Sequence, residues 1–160
     1  MIKLIKNRDF ILFSIIIFGV ILVGIANPYF IKPSSLSDVL TDTSILIILA
    51  LSQMIVILIR AIDLSVASNL ALSGMLISLL STVYPELPVI FFIILSCIIG
   101  TFLGVLNGVS IAILKVPFIV TTLGTLSIYR GLIYFVSDGK QVYSHEFSQS
   151  FLALIHYKFL

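Results

Sequence analysis

The chain has 160 residues, of which 60% are hydrophobic and 10% charged, with a formal net charge of +2 and a mean hydropathy of +1.27. Soluble globular domains carry about 25% charged residues, so the composition excludes an ordinary soluble domain and predicts an integral membrane protein in a lipid bilayer. The small, dispersed positive charge excludes a nucleic-acid surface, and a single cysteine, Cys97, leaves no disulfide framework or thiolate metal site.

A helix crosses the hydrocarbon in about 20 residues, with about 17 as a lower limit. Five stretches qualify, roughly residues 10–26, 43–60, 64–81, 88–114 and 117–136. The predicted fold is therefore all-α, a polytopic bundle of about five transmembrane spans forming one domain over residues 1–160. Lys3, Lys6 and Arg8 before an apolar stretch ending in Gly24-Ile25-Ala26 resemble a secretion signal. The apolar core exceeds the usual length of about 7 to 15 residues and further hydrophobic segments follow, so it reads as an uncleaved first span. Asn27 to Ser35, with Pro28 and Pro33, reads as an exposed, helix-breaking loop, as does Tyr84-Pro85-Glu86-Leu87-Pro88.

With a cytoplasmic N-terminus, Lys3, Lys6, Arg8, Arg60 and Lys115 fall inside, and Lys32, Lys140 and Lys158 outside. The excess of basic residues inside favours that orientation. It places Asp38, Asp42, Glu86, Asp138 and Glu146 outside, with an outer loop from residue 137.

The second and third spans meet at Arg60-Ala-Ile-Asp63-Leu-Ser65. A charge at the centre of a bilayer helix costs roughly 2.5 to 3.5 kcal/mol on insertion scales. Two readings follow. In one, residues 60–65 are a tight cytoplasmic hairpin, with Arg60 ending span two and Asp63 capping span three through the first free N–H groups. In the other they are an unwound break at membrane depth, of the sort that lines solute sites. The length of both flanks favours the hairpin.

Span three carries Ala67, Ala71, Gly74 and Ser78 along one face, with Ser65, Asn69 and Ser73 beside it. Span four carries Ser96, Gly100, Gly104, Gly108 and Ala112 at four-residue intervals. Such stripes let helices approach closely enough for van der Waals packing in lipid. Gln53, Asn107, Thr121, Thr122, Thr125 and Ser127 add uncharged polar groups, which should point inward because lipid offers them no partner. Asp63, Asn69, Asn107, Thr121 and Thr125 are the candidates for a polar translocation path. Arg60, Ser65 and Arg130 are the candidates for a structural polar cluster, although Arg130 lies roughly 20 Å along span five from Pro117 and can snorkel outward instead.

Ser150 to Leu160 turns apolar again, as if another helix or re-entrant segment began, and the sequence reads as cut off within an element. No phosphate loop, H-E-x-x-H string or cluster of Cys or His marks an enzyme, and His145 and His156 stand alone. Neither catalytic residues, a metal site nor a cofactor is predicted.

Val56 to Gly74 with Ile62-Asp63-Leu64-Ser65-Val66, the pair Asn107-Gly108, and Lys115 to Gly131 with the string P-F-I-V-T-T-L-G-T-L-S-I-Y-R-G from Pro117 resemble the permease family of sugar-importing ABC transporters. The likeness runs over essentially the whole chain and is similar to the branch of ribose, rhamnose and autoinducer-2 importers. Two departures stand out: the family commonly has a glycine pair at Arg60-Ala61 and glycine at Ala67, which bears on any geometry that requires positive φ or close approach. Members are also about twice as long and carry their ATPase-docking loop in the half that residues 1–160 do not match.

The resemblance implies an importer subunit of a bacterial inner membrane. It would work with a cytoplasmic ATP-binding subunit, a second permease subunit and an extracytoplasmic sugar-binding protein, with ATP hydrolysis in the partner. The expectation is the N-terminal half of a permease, inactive by itself. The alternative is a small non-transporting membrane interaction or assembly protein that uses its glycine-rich helix face.

Overall fold

The apolar stretches fold as five α-helices; the computed structural model describes residues 8–147 and 151–152. They are α1, Arg8–Ala26; α2, Pro33–Leu58; α3, Val66–Val83; α4, Val89–Ala112; and α5, Phe118–Ser137. All five are long and apolar enough to cross a membrane, and no strand occurs among the described residues. The expected all-α, polytopic architecture is what the chain adopts. Lys3, Lys6, His156 and Lys158 lie outside the described residues, as does most of the apolar stretch from Ser150 to Leu160.

The chain divides into two units that meet between Leu51 and Ser52. In the first, the loop expected at residues 27–35 is largely helical. A 3-10 turn spans Pro28–Ile31, capped by the Asn27 side chain, which accepts the Tyr29 N–H at 3.1 Å. Helix α2 starts at Pro33 rather than at residue 43. Both prolines open helical turns instead of breaking them, because at a first helical position the missing N–H would have been unpaired anyway. At 26 residues α2 is about 39 Å long, beyond the roughly 30 Å of a hydrocarbon core, so its polar first turns from Ser34 to Asp42 extend past the apolar span.

In the second unit α3 packs against α4 and α5, and α4 against α5. The core is small: Leu72, Leu103 and Tyr129, with Leu76, Ile99 and Ile133 packed against them. Apolar side chains also cover the outside, as lipid contact requires, so burial alone does not drive the helices together and interhelical hydrogen bonds and close packing carry more of the load. At the N-terminal end of α4, buried Phe92 makes edge-on contacts with Phe91 and Phe151, and Phe151 stacks on Phe147. Phe151 and Leu152 are helical.

Candidate functional site: the α2–α3 junction and the polar seam

Helix α2 stops at Leu58 with a left-handed cap. The Arg60 N–H donates to Ile57 O at 2.8 Å and the Ala61 N–H to Val56 O at 3.2 Å, while Arg60 takes φ 58°. This paired pattern is the Schellman motif, whose left-handed position glycine occupies most readily. The arginine therefore ends the helix by its backbone, and its exposed side chain makes no ion pair among the described residues.

From Ala61 the chain runs without helix to Ser65. Asp63 Oδ1 accepts both the Ser65 N–H at 2.8 Å and the Ser65 hydroxyl at 2.7 Å. An aspartate commonly binds its own backbone two residues on in this way. Asp63 was expected to cap α3; instead it holds the capping residue, because α3 begins with the Asn69 N–H donating to Ser65 O at 2.8 Å. Ser65 is 1% exposed, and its hydroxyl oxygen accepts Asn107 Nδ2 of α4 at 2.7 Å. A continuous chain of donors thus runs from Asn107 through Ser65 to the Asp63 carboxylate. The Gln53 amide donates to Asp63 O at 3.3 Å, and the buried Thr122 hydroxyl bonds Phe118 O at 2.9 Å and lies 3.5 Å from Ile62 O.

These contacts set the depth of the junction. Asn107 lies about 7 Å of helical rise before the end of α4, and Thr122 about 6 Å after the start of α5. Residues 62–65, seated against both, dip roughly one turn inside the helix ends, while Ile59 and Arg60 form an exposed tip. The geometry lies between a tight hairpin and a break at mid-membrane.

A second set of bonds ties α4 to its neighbours. Asn69 Nδ2 of α3 donates to Gly100 O at 3.2 Å, and the Tyr129 hydroxyl of α5 donates to Leu103 O at 2.8 Å. Thr125 bonds Thr121 O at 3.1 Å, and Ser73 bonds Asn69 O, each within its own helix. Three buried polar atoms have no partner among the described residues: Gln53 Oε1, Asn107 Oδ1 and Thr121 Oγ1.

Of the five path candidates, Asp63 and Asn107 come together through Ser65, Asn69 braces α3 on α4, and Thr121 and Thr125 share a face of α5. The suggested cluster of Arg60, Ser65 and Arg130 does not form: both arginines are exposed and only Ser65 is buried. Tyr129 is absent from the sequence candidates yet anchors α5; its spacing of seven from Thr122, two helical turns, is the signal that places both on one face.

The small-residue stripes are used only in part. On α4, Ser96 and Gly100 are half-buried, whereas Gly104, Gly108 and Ala112 are exposed. On α3, Ala67, Ala71 and Gly74 are exposed and Ser78 half-buried; the buried residues are Ser68, Leu72, Ser73, Ile77 and Ser81. The hydroxyl-bearing side of α3 turns inward because lipid cannot satisfy it, which leaves the small apolar side outside. Gly104, Gly108 and Ala112 line an open groove of about 500 Å³ together with Val56, Ile59, Ile62, Asp63 and Asn107. Among the described residues no group of His, Cys, Asp and Glu could hold a metal ion.

The family described as branched-chain amino acid transport system / permease component matches residues 35–157. The chain is 38% identical over 139 residues to the ribose import permease protein of Haemophilus influenzae, covering 87% of this chain and 42% of that one. It is 34% identical over 143 residues to the autoinducer 2 import system permease protein of an Escherichia coli strain, covering 89% and 41%. The corresponding protein of Photorhabdus luminescens is 38% identical over 145 residues, covering 89% and 43%. The chain therefore spans less than half the length of the curated relatives it matches. No solved structure shows a significant match.

Proposed function

The chain belongs to the branched-chain amino acid transport system / permease component family, and from that membership we propose that it serves as a membrane-spanning subunit of an ATP-driven importer. The solute class is a sugar or an autoinducer-2-like molecule, the kinds of solute for which the matching relatives are named. The observation that carries the reading is a line of hydrogen-bonding side chains set inside three apolar, membrane-length helices.

In this reading a cytoplasmic ATP-binding subunit hydrolyses ATP, a second permease subunit completes the pathway, and an extracytoplasmic binding protein delivers the solute. The subunit sits in a bacterial inner membrane with its N-terminus cytoplasmic. Asn69 and Asn107, spent on bonds to other elements, and Asp63, which holds Ser65, brace the bundle. The path runs along the α5 face of Thr121 and Thr125, where a buried hydroxyl without a partner supports contact with a polar solute. The partner's ATP-driven states shift the bundle between inward- and outward-open populations. Residues 1–160 alone do not transport.

The test is a chimera in which this chain replaces the matching part of the Haemophilus influenzae ribose permease, assayed in vesicles with that importer's ATPase and binding protein. ATP-dependent uptake of ribose or autoinducer 2 is expected from the chimera, and none from residues 1–160. A membrane-inserted chimera that moves neither solute would sink the proposal, as would uptake by residues 1–160 alone.

A further inference from the structure

We propose that residues 138–142, after α5, re-enter the bilayer and form, with one face of α3, a water-filled vestibule open at the end of the bundle where α3 finishes. The proposal rests on the membrane-spanning reading above and not on which solute is carried.

Helix α5 ends on two successive left-handed residues, Asp138 at φ 52° and Gly139 at φ 69°. The N–H groups of Asp138 and Gly139 both return to Tyr134 O, and the Lys140 N–H donates to Ser137 O at 2.9 Å. The chain therefore reverses instead of leaving the bundle. Ser137, the last residue of α5, is still buried. Gln141 and Val142 then line a pocket of about 310 Å³ with Ala71, Gly74, Met75 and Ser78 of α3.

These α3 residues set the depth of the pocket. Helical rise puts Ser78 about 8 Å and Ala71 about 18 Å short of Val83, where α3 ends. With 18 residues α3 is about 27 Å long, no longer than a hydrocarbon core of about 30 Å. Its ends lie near the two boundaries, so Gln141 and Val142 sit within the core.

Non-helical backbone survives at that depth only where it is buried in protein or lines a water-filled cavity. Gln141 is exposed, and neither its N–H nor that of Val142 finds an acceptor among the described residues. Beside them Lys140 and Asp138 pair at 3.7 Å with side chains 78% and 89% exposed. Acyl chains solvate none of these groups. A protein neighbour would have to match each of them, whereas water does so without a fixed geometry. The pocket far exceeds the roughly 10–15 Å³ that one water needs.

The test is the reactivity of single cysteines in residues 1–160, in a Cys97→Ser background and in sealed vesicles. Gly74→Cys fits without strain, because an added Cβ there meets nothing within 4 Å. It and Gln141→Cys are compared with Ile98→Cys, which is 59% exposed and lies as far from the start of α4 as Gly74 lies from the end of α3. A charged, impermeant methanethiosulfonate is added from the side that labels position 140. Positions 74 and 141 should react about a hundredfold faster than position 98, since desolvation in lipid withholds the reactive thiolate. Gly139→Val, which holds a left-handed turn poorly, should bring position 74 down towards the rate at position 98. The unfolding midpoint in mixed micelles shows whether that variant folds, and the comparison of 74 with 98 in the parent chain stands either way. Equal rates at 74 and 98 overturn the proposal, as does a folded Gly139→Val variant in which position 74 reacts undiminished. Labelling needs no ATPase, binding protein or solute, so its failure is distinct from failure of the uptake test.

Discussion

Asn107, in the last third of α4, donates to the Ser65 hydroxyl at 2.7 Å across 42 residues of sequence. Ser65 in turn donates to Asp63 Oδ1 at 2.7 Å, so one serine joins the α2–α3 junction to α4. In hydrocarbon such bonds are worth about 0.6 kcal/mol on average and up to about 1.7. The Ser65 N–H and hydroxyl together hold the Asp63 carboxylate in place at the junction.

The two residues should therefore act as a unit. Ser65→Ala and Asn107→Ala each destabilise the chain by about 1–2 kcal/mol, and the double variant falls short of the sum by about 0.5–1.5 kcal/mol. Unfolding in mixed dodecylmaltoside and SDS micelles measures the cycle. Additive effects would show that the contact does not couple the two positions.

Arg60 lies at φ 58° with an exposed side chain and no ion pair among the described residues. A left-handed conformation costs a side-chain-bearing residue roughly 1–2 kcal/mol. Arg60→Gly should raise stability by about 1 kcal/mol, less the extra freedom of an unfolded glycine, and Arg60→Val should lower it, since a branched Cβ tolerates that φ poorly. The same micelle titration reads both. If Arg60→Gly destabilises, the guanidinium has a role that its exposure does not reveal.

Tyr129 joins the core by its ring and α4 by its hydroxyl. Tyr129→Phe keeps the ring and loses the 2.8 Å bond to Leu103 O, for an expected loss of about 0.5–1.7 kcal/mol. Tyr129→Ala removes the ring as well and should cost about 3–5 kcal/mol. Equal losses for both variants would assign the whole contribution to the hydroxyl and contradict the packing.

The buried side of α3 can be tested by contrast. Leu72 is 2% exposed, whereas Ala71 beside it faces outward. Leu72→Ala should cost about 2–5 kcal/mol, and Ala71→Leu should change the stability of the isolated chain by less than about 0.5 kcal/mol. The reverse ranking would restore the small-residue stripe as the packing face.

For topology, single cysteines at positions 60 and 140 in a Cys97→Ser background should react with an impermeant maleimide from opposite sides of the membrane. Position 60 reacts from the cytoplasmic side if the N-terminus is cytoplasmic. Labelling of both from one side is incompatible with α3, α4 and α5 each crossing.

That the described residues hold five long apolar helices, and roughly where, was legible in the linear order of residues. An apolar run of about 20 residues in lipid has no other way to satisfy its backbone than a helix, and the Ile62 to Val66 and Pro117 to Gly131 strings carried the family. The helix start at Pro33 is local too, but the residue alone does not announce it, because proline both breaks a helix and opens one. What the sequence could not rank was which polar face turns inward. Both sides of α3 have helical spacing, and the choice went to Ser65, Ser68 and Ser73 rather than Ala67, Ala71 and Gly74.

The partners of the candidate site were equally hidden. Ser65 meets Asn107 across 42 residues and Asn69 meets Gly100 across 31, separations that no periodicity reports. Membership and membrane character were thus determined by composition and local strings, because the bilayer constrains each segment separately. The junction's depth, the left-handed Arg60 and the hydrogen-bond chain through Ser65 were decided only by tertiary structure, since each depends on what a neighbouring helix or turn offers a buried polar group.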